Sequence, residues 1–340
     1  MSKRQISHQQ SHRIYRKQTR YQEQATSATP ESLSEGLVIK RFSRLALIED
    51  SQGHRLRCSI RPDIHSLVAG DRVIWQPEGH HQGVVLSVLP RQSVLNRPDY
   101  RGILKPVAAN ITQVLIVVAP IPEISWTLLD SYLVMTESLQ LQTCIVLNKT
   151  DIDSPLQMSE AHTPTSESTL AGLTIREQLS AIYQPLGYTI LPLSRENKSS
   201  YVALMKILNG QTSVFVGQSG VGKSSIISCI LPEQMDIQIS EVSESSNLGR
   251  HTTSNSCLYH LANGGHLIDS PGVREFGLWD MPVRNIAEGF REFRPYSAQC
   301  QFRNCNHQNT PGCAVIQALH EGKIHQNRYH SYIKLALKFL

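Results

Sequence analysis

Apolar positions along the chain fall into successive textures. Residues 1–36 are rich in Gln, Ser, Thr, Arg and His with few apolar positions, the composition of a flexible arm that cannot bury a core of its own. From there short apolar or alternating runs follow one another, Leu37–Phe42, Leu45–Ile48, Leu56–Ile60, Val73–Trp75 and Val84–Leu89, separated by Gly53, Gly70, Pro77 and Gly83. Short runs at about ten-residue spacing, broken by turn formers, predict a small all-β module over 37–107, and an OB-like barrel is the natural five-strand solution.

After Arg97-Pro98 the apolar runs alternate with helix-length segments. Val114–Val118, Thr143–Leu147, Tyr188–Leu191 and Ser213–Val216 read as buried strands; Trp126–Leu139, Ile175–Leu186 and Tyr201–Leu208 read as helices between them. This alternation predicts a doubly wound α/β domain with a mostly parallel sheet over 108–280. The Ser/Thr/Pro/Glu-rich stretch from Asp153 to Gly172 reads as an exposed loop. Beyond Pro282 helical patterns surround a Cys/His cluster, a C-terminal helical module over 281–340, and no internal repeat is visible.

Length and composition narrow the class. A chain of 340 residues suggests two or three domains. The run Val114–Ala119 stops at Pro120, far short of the 18 or so apolar residues of a membrane helix, so no membrane is expected as a partner. The start is polar and basic without the apolar core of a secretory signal, which points to the cytoplasm. In that reducing compartment seven cysteines suggest thiols or a metal site, not a disulfide framework.

Charge is unevenly spread: +6 over residues 1–21, −3 over 22–36, +5 over 37–107, −8 over 108–290 and +5 over 291–340. Basic ends flanking an acidic centre suit contact with a phosphate backbone, or are solvated faces of no special function.

The strongest chemical signal is Gly217-Gln218-Ser219-Gly220-Val221-Gly222-Lys223-Ser224, a full G-x4-G-K-[ST] phosphate loop after an apolar run and before a plausible helix, Ser225–Ile230. Its glycines let backbone N–H groups wrap phosphates, Lys223 would reach the β- and γ-phosphates, and Ser224 would ligate Mg²⁺. About 45 residues later, Asp269-Ser270-Pro271-Gly272 ends the run His266-Leu267-Ile268. There Asp269 can hold Mg²⁺ directly or through water, and Gly272 can offer its N–H to a γ-phosphate. Asn148-Lys149-Thr150-Asp151 directly follows the run Thr143–Leu147 and suits guanine: the carboxylate accepts from N1–H and the exocyclic amine, Asn148 addresses the other edge of the base, and Lys149 packs across it. Adenine would leave that carboxylate unpaired. Ser194, after the strand Tyr188–Leu191, falls where a second base-contacting loop is expected. Together these residues imply a site for GTP and GDP.

Their order is unusual. An ordinary small GTPase has its phosphate loop first and its base-reading motif last, whereas here Asn148 precedes Gly217 by 69 residues. Strands can keep their places in a sheet while the break in the chain moves, since domain termini often lie close together. The reading is a circularly permuted GTPase. Val273 follows Gly272 where many small GTPases carry a water-positioning Gln, so intrinsic hydrolysis should be slow.

A last constellation, Cys300, Cys305, His307 and Cys313, has the spacing C-x4-C-x-H-x5-C and offers four ligands for a closed tetrahedral, structural Zn²⁺, although its first spacing departs from the C-x2-C knuckle. Cys58, Cys144, Cys229 and Cys257 stand among apolar neighbours and read as buried core.

In the order of these motifs, the basic arm, the barrel and the Cys/His end, the sequence resembles the RsgA (YjeQ) family of bacterial GTPases of small ribosomal subunit biogenesis, over nearly the whole chain. The resemblance extends the phosphate-loop match to Ser225 and covers Gly-Arg-His-Thr-Thr at Gly249–Thr253. It implies that Thr252 or Thr253 is the switch threonine sensing Mg²⁺ and γ-phosphate, and makes His251 a candidate for orienting the attacking water, alongside a plainer role in the switch loop or in RNA contact. It also implies one zinc per chain, rRNA and the small subunit as partners, stimulation of GTP hydrolysis by that particle, and a monomer. A GTPase with a different RNA or translation partner, and an RNA-binding protein with a vestigial GTPase domain, are the alternatives.

Overall fold

A computed structural model of the chain describes residues 33–79, 82–99, 101–152, 172–231, 256–269 and 281–338, which fall into two compact units. The arm up to residue 32 and most of the expected loop, 153–171, lie outside the described residues. Among the described residues no helix is long and apolar enough to cross a membrane.

The first unit is built on a closed five-stranded barrel. β1 (Ser34–Arg41) pairs antiparallel with β2 (Leu45–Glu49), β2 with β3 (Arg55–Ile60), and β3 runs parallel to β5 (Gln82–Val88). β5 pairs with β4 (Arg72–Pro77), and β4 returns to β1. Closure removes the free edges that an open sheet of this size would expose. Alternate residues point inward, so Val38, Ile48, Cys58, Val73, Trp75 and Val85 form one buried cluster. β1 begins before the apolar pattern does, because Glu35 and Gly36 pair through their backbone with Ile74 and Val73 of β4, which needs no apolar side chain.

Two further strand pairs belong to this unit. β6 (Val94–Pro98) and β7 (Leu104–Ala109) form an antiparallel hairpin that the sequence pattern misses. A register shift between Leu95 and Asn96 lets Pro106 sit in the ladder despite its missing N–H. β12 (Cys257–His260) pairs antiparallel with β13 (His266–Asp269), and Cys257 stands opposite Lys40 of β1. Glu49 of β2 meets His260 of β12 at 2.8 Å.

The second unit carries a parallel sheet in the order β10-β9-β8-β11, formed by β8 (Gln113–Val118), β9 (Gln142–Leu147), β10 (Thr189–Pro192) and β11 (Thr212–Val216). Every residue of β8 is buried, as its continuous apolar run requires of a central parallel strand. From β8 the chain steps to β9 and β10 on one side, then crosses back to β11 on the other. The C-terminal ends of β8 and β11 therefore flank a topological switch point, the place where open α/β sheets take their ligands. The connecting helices are α1 (Trp126–Ser138), α2 (Ile175–Tyr183), α3 (Lys198–Leu208) and α4 (Lys223–Ile230). A capping box between Thr174 and Glu177 starts α2, and Asn197 caps α3.

The same unit contains the C-terminal helices α5 (Val283–Glu288), α6 (Arg294–Ser297), α7 (Ala314–His320) and α8 (Gln326–Leu337). A fully buried Arg328 on α8 joins them to α1. Its Nη1 donates to Asp130 Oδ1 of α1 at 2.5 Å, and Nε and Nη2 donate to the two carboxylate oxygens of Glu292 at 2.6 and 3.1 Å. Tyr183 of α2 donates its hydroxyl to the same Asp130 oxygen at 2.8 Å, and the guanidinium lies 4.5 Å from the centre of the Phe290 ring. Burial works against a charge here, but Asp130 and Glu292 outweigh it and hold Arg328 well above the usual guanidinium range. Glu137, near the end of α1, makes a second clamp by accepting from Arg291 Nε and Arg294 Nη2, each at 2.7 Å.

Candidate functional site

The phosphate loop occupies the turn from β11 to α4, and backbone geometry explains its glycines. Gly217 has φ 138°, and a Cβ there would stand 2.2 Å from the carbonyl oxygen of Val117 in β8. Gly222 has φ 96°, and a Cβ would stand 2.3 Å from Asn148 Nδ2. Only glycine fits both demands of conformation and closeness. Lys223, buried at the start of α4, donates through Nζ to the Gly217 carbonyl at 2.6 Å and to that of Gln218, which keeps the ammonium over the loop. Ser224 and Ser225 are exposed on the first turn of α4, where the positive end of the helix dipole favours an anion.

Asn148 and Lys149 follow β9 and are turned onto this loop. Asn148 Nδ2 donates to the Val221 carbonyl at 2.9 Å; Lys149, at φ 59°, donates through Nζ to the carbonyls of Ile121 and Gly220, both at 2.8 Å. Through these bonds both residues brace the phosphate loop. Thr150 is fixed through its N–H and hydroxyl to the Leu193 carbonyl, each at 3.2 Å. This brings the loop after β10 alongside, and Ser194 Oγ donates to Asp151 Oδ1 at 3.0 Å. Ser194 is buried while Asp151 is exposed, so the serine orients a carboxylate that remains open to a ligand.

Gln218, a member of the phosphate-loop motif, makes a contact that the motif does not foretell. Its Oε1 accepts from the Ser125 N–H at 3.0 Å and its Nε2 donates to the Glu123 carbonyl at 3.2 Å, tying the phosphate loop to the segment that opens α1. No local pattern announces a side-chain bridge to residues more than ninety positions away.

Asp269 ends β13 in the first unit, opposite Cys257. His251, Thr252, Thr253 and Gly272 lie outside the described residues.

Cys300, Cys305, His307 and Cys313 gather in the segment between α6 and α7 with their ligand atoms all within 4.8 Å of one another. Cys300 Sγ is 3.9 Å from Cys313 Sγ, and His307 Nδ1 is 3.6 and 3.5 Å from those sulfurs. A tetrahedron with metal–sulfur bonds of about 2.3 Å has edges of about 3.8 Å, so the cluster has the size and donor set to hold one metal ion. The turn that presents His307 has φ 57°, and its carbonyl accepts from the Tyr329 hydroxyl at 2.7 Å. Burial pushes the Cys313 thiol up to about 12 and the His307 imidazole below its usual range, so the buried donors are neutral until a cation binds. Among the other cysteines Cys58, Cys144 and Cys257 are buried as expected, but Cys229 is exposed. It lies nearly half a turn around α4 from the buried Ile227 and so turns away from the sheet.

The RsgA GTPase family matches residues 88–279, more than half of the chain. The chain belongs to the RsgA GTPase family. Similar proteins include the small ribosomal subunit biogenesis GTPase RsgA of Sodalis glossinidius (strain morsitans), 44% identical over 307 residues that cover 88% of this chain and 84% of that protein. The RsgA of Haemophilus influenzae (strain PittGG) is 41% identical over 98% of this chain and 95% of its own. Among solved structures, YjeQ from Thermotoga maritima has a TM-score of 0.69 at 28% identity, covering 90% of this chain and 98% of that one. YloQ, described as a circularly permuted GTPase, has a TM-score of 0.67 at 26% identity over 90% and 95%. Like the rest of the RsgA family, the chain is a GTP-hydrolysing enzyme; its architecture is the barrel, the permuted α/β GTPase fold and the Cys/His end that its motifs implied.

Proposed function

We propose that this GTPase is an assembly factor for the small (30S) ribosomal subunit, acting late in maturation, binding rRNA, and hydrolysing GTP slowly until the subunit stimulates it. The observation that carries the nucleotide is the convergence of Ser194-oriented Asp151, the Asn148 and Lys149 braces and the phosphate loop at neighbouring strand ends of one sheet. Relatives named for small-subunit biogenesis across nearly the whole chain support the partner.

In this reading Asp151 selects guanine, because its carboxylate matches the two donors on that edge and no donor pair of adenine. Lys223 leaves the loop carbonyls for the β- and γ-phosphates, and Ser224 and Asp269 carry Mg²⁺. Gly272 and one of Thr252 and Thr253 sense the γ-phosphate, and His251 is the candidate for orienting water. The metal of the Cys/His cluster is Zn²⁺, one per chain and structural, since four protein ligands leave no open position. The protein works as a monomer in the cytoplasm. Nucleotide state reaches the C-terminal helices through α1, whose start is held by Gln218 and whose middle is held by Arg328.

Pelleting with purified small and large subunits in GTP, a non-hydrolysable GTP analogue, GDP and no nucleotide tests this function. Co-sedimentation with small subunits, strongest with the analogue, is expected. Equal pelleting in all nucleotide states, or preference for the large subunit, refutes it. His251→Ala turnover with and without small subunits tests the water-orienting role.

A further inference from the structure

The long C-x4-C spacing projects a loop whose middle residues the metal does not use. Between Cys300 and Cys305, the residues Gln301, Phe302, Arg303 and Asn304 are all exposed, and Phe302 keeps 46% of its surface open. Arg303 and Asn304 have no side-chain hydrogen bond or ion pair among the described residues. The loop flanks a groove of about 750 Å³, lined among others by Arg284, Ala287, Arg294, Phe302, Arg303 and Asn304.

The groove's chemistry is that of a nucleic-acid subsite. An aromatic face stacks any base, a guanidinium meets the adjoining phosphate, and a side-chain amide offers both a donor and an acceptor to a base edge. Charge favours an anion: three arginines face one acid, Glu288, whose pairing with Arg284 is an exposed contact of 3.1 Å. Arg294 is already engaged by Glu137, so Arg303 is the cation free to take a phosphate. Both ends of the loop are metal-ligand positions, which presets Phe302 and lowers the ordering cost of binding.

We infer that the groove beside the metal cluster binds one unstacked nucleotide of single-stranded RNA, with the base on Phe302 and its phosphate on Arg303. The inference rests on the ribosomal reading above and locates one of its contacts.

The test uses the full-length, metal-loaded protein and a fluorescein-labelled single-stranded oligouridylate 12-mer, compared by anisotropy with a labelled RNA duplex of equal length. Phe302→Ala should weaken single-strand binding roughly tenfold or more, the worth of one stacked base, and leave duplex binding unchanged. Phe302→Tyr should restore it, and Arg303→Ala should lower the steepness of the salt dependence by about 0.7, the share of one phosphate. Both residues are exposed, so folding should be unaffected, with metal content as the control. Equal binding of the oligouridylate by wild type and Phe302→Ala overturns the inference, as does equal weakening toward the duplex, or no binding by the wild type. Subunit pelleting of the same proteins separates the two readings. If wild type pellets but Phe302→Ala binds oligouridylate normally, only the groove fails; if Phe302→Ala loses oligouridylate but wild type pellets with no small subunit, only the ribosomal reading fails.

Discussion

Replacing Arg328 by Met tests whether the buried ion network holds the C-terminal helices to the GTPase sheet. The substitution keeps much of the side-chain volume but removes the cation that, among the described residues, pairs with Asp130 and with both oxygens of Glu292, all three residues being nearly or fully buried. Removing one partner of a buried pair costs about 3–5 kcal/mol, because the remaining charge stays desolvated and unpaired. For a unit of this size each kcal/mol moves the midpoint by about 2–4 °C, so thermal unfolding should shift down by about 6–20 °C. The assay is circular dichroism with a chromophoric chelator, which reports metal release from the Cys/His cluster in the same experiment. Both signals should move together, since α8 carries Arg328 and packs its Tyr329 against the His307 carbonyl. pH adds an internal control. Burial already pushes the Asp130 carboxyl up against the pull of Arg328, and without that guanidinium the folded state of the variant would hold protons that its unfolded state releases. Stability of the variant should therefore fall as pH rises above the ordinary carboxylate range, and its deficit should shrink toward pH 5. Exchanging Arg328, Asp130 and Glu292 together for apolar residues should recover much of the loss. A shift below about 1 kcal/mol for Arg328→Met, or metal release that ignores it, would refute the anchoring role.

Asp151→Asn should weaken GTP binding by about a hundredfold or more and move preference toward xanthine nucleotides, whose carbonyl accepts from the new amide; unchanged GTP affinity by titration calorimetry contradicts the guanine assignment. Ser194→Ala should raise the GTP dissociation constant by about tenfold with little change in kcat, the worth of a hydrogen bond to a charged group, and a fall in kcat alone would place Ser194 elsewhere. His266 should make the first unit acid-sensitive. Burial and the neighbouring His260 ring, 4.8 Å away, lower its pKa below 6.5, against the opposing pull of Glu49. A depressed folded pKa means full stability above about pH 6.5 and loss as pH falls through the lowered value, so His266→Gln should flatten the stability profile below pH 6.5. A variant profile parallel to wild type would exclude His266 as the cause.

Much of the candidate nucleotide site could be named from the sequence because its motifs are local. Gly217 to Ser224 and Asn148 to Asp151 are contiguous, and each motif follows a short apolar run of strand length that the structure makes a buried strand. The five barrel strands were legible for the same reason: a period of two with one buried face shows in a few neighbouring residues. β6, β7 and β12 were not, since prolines interrupt the hairpin and a four-residue strand such as Cys257–His260 is too short to display a period.

By itself the sequence determined which residue types could meet phosphate, guanine and metal, and in what order along the chain. Tertiary structure alone decided how they are used. Asn148 and Lys149 hold the phosphate loop, Ser194 orients Asp151, and Gln218 joins the loop to α1, through hydrogen bonds spanning dozens of positions. Arg328 finds Asp130 almost two hundred residues away, and in the linear sequence neither differs from an ordinary surface charge. The physical reason is that local sequence encodes backbone preference and chemical type, while burial and partnership arise only when distant segments pack and desolvate one another.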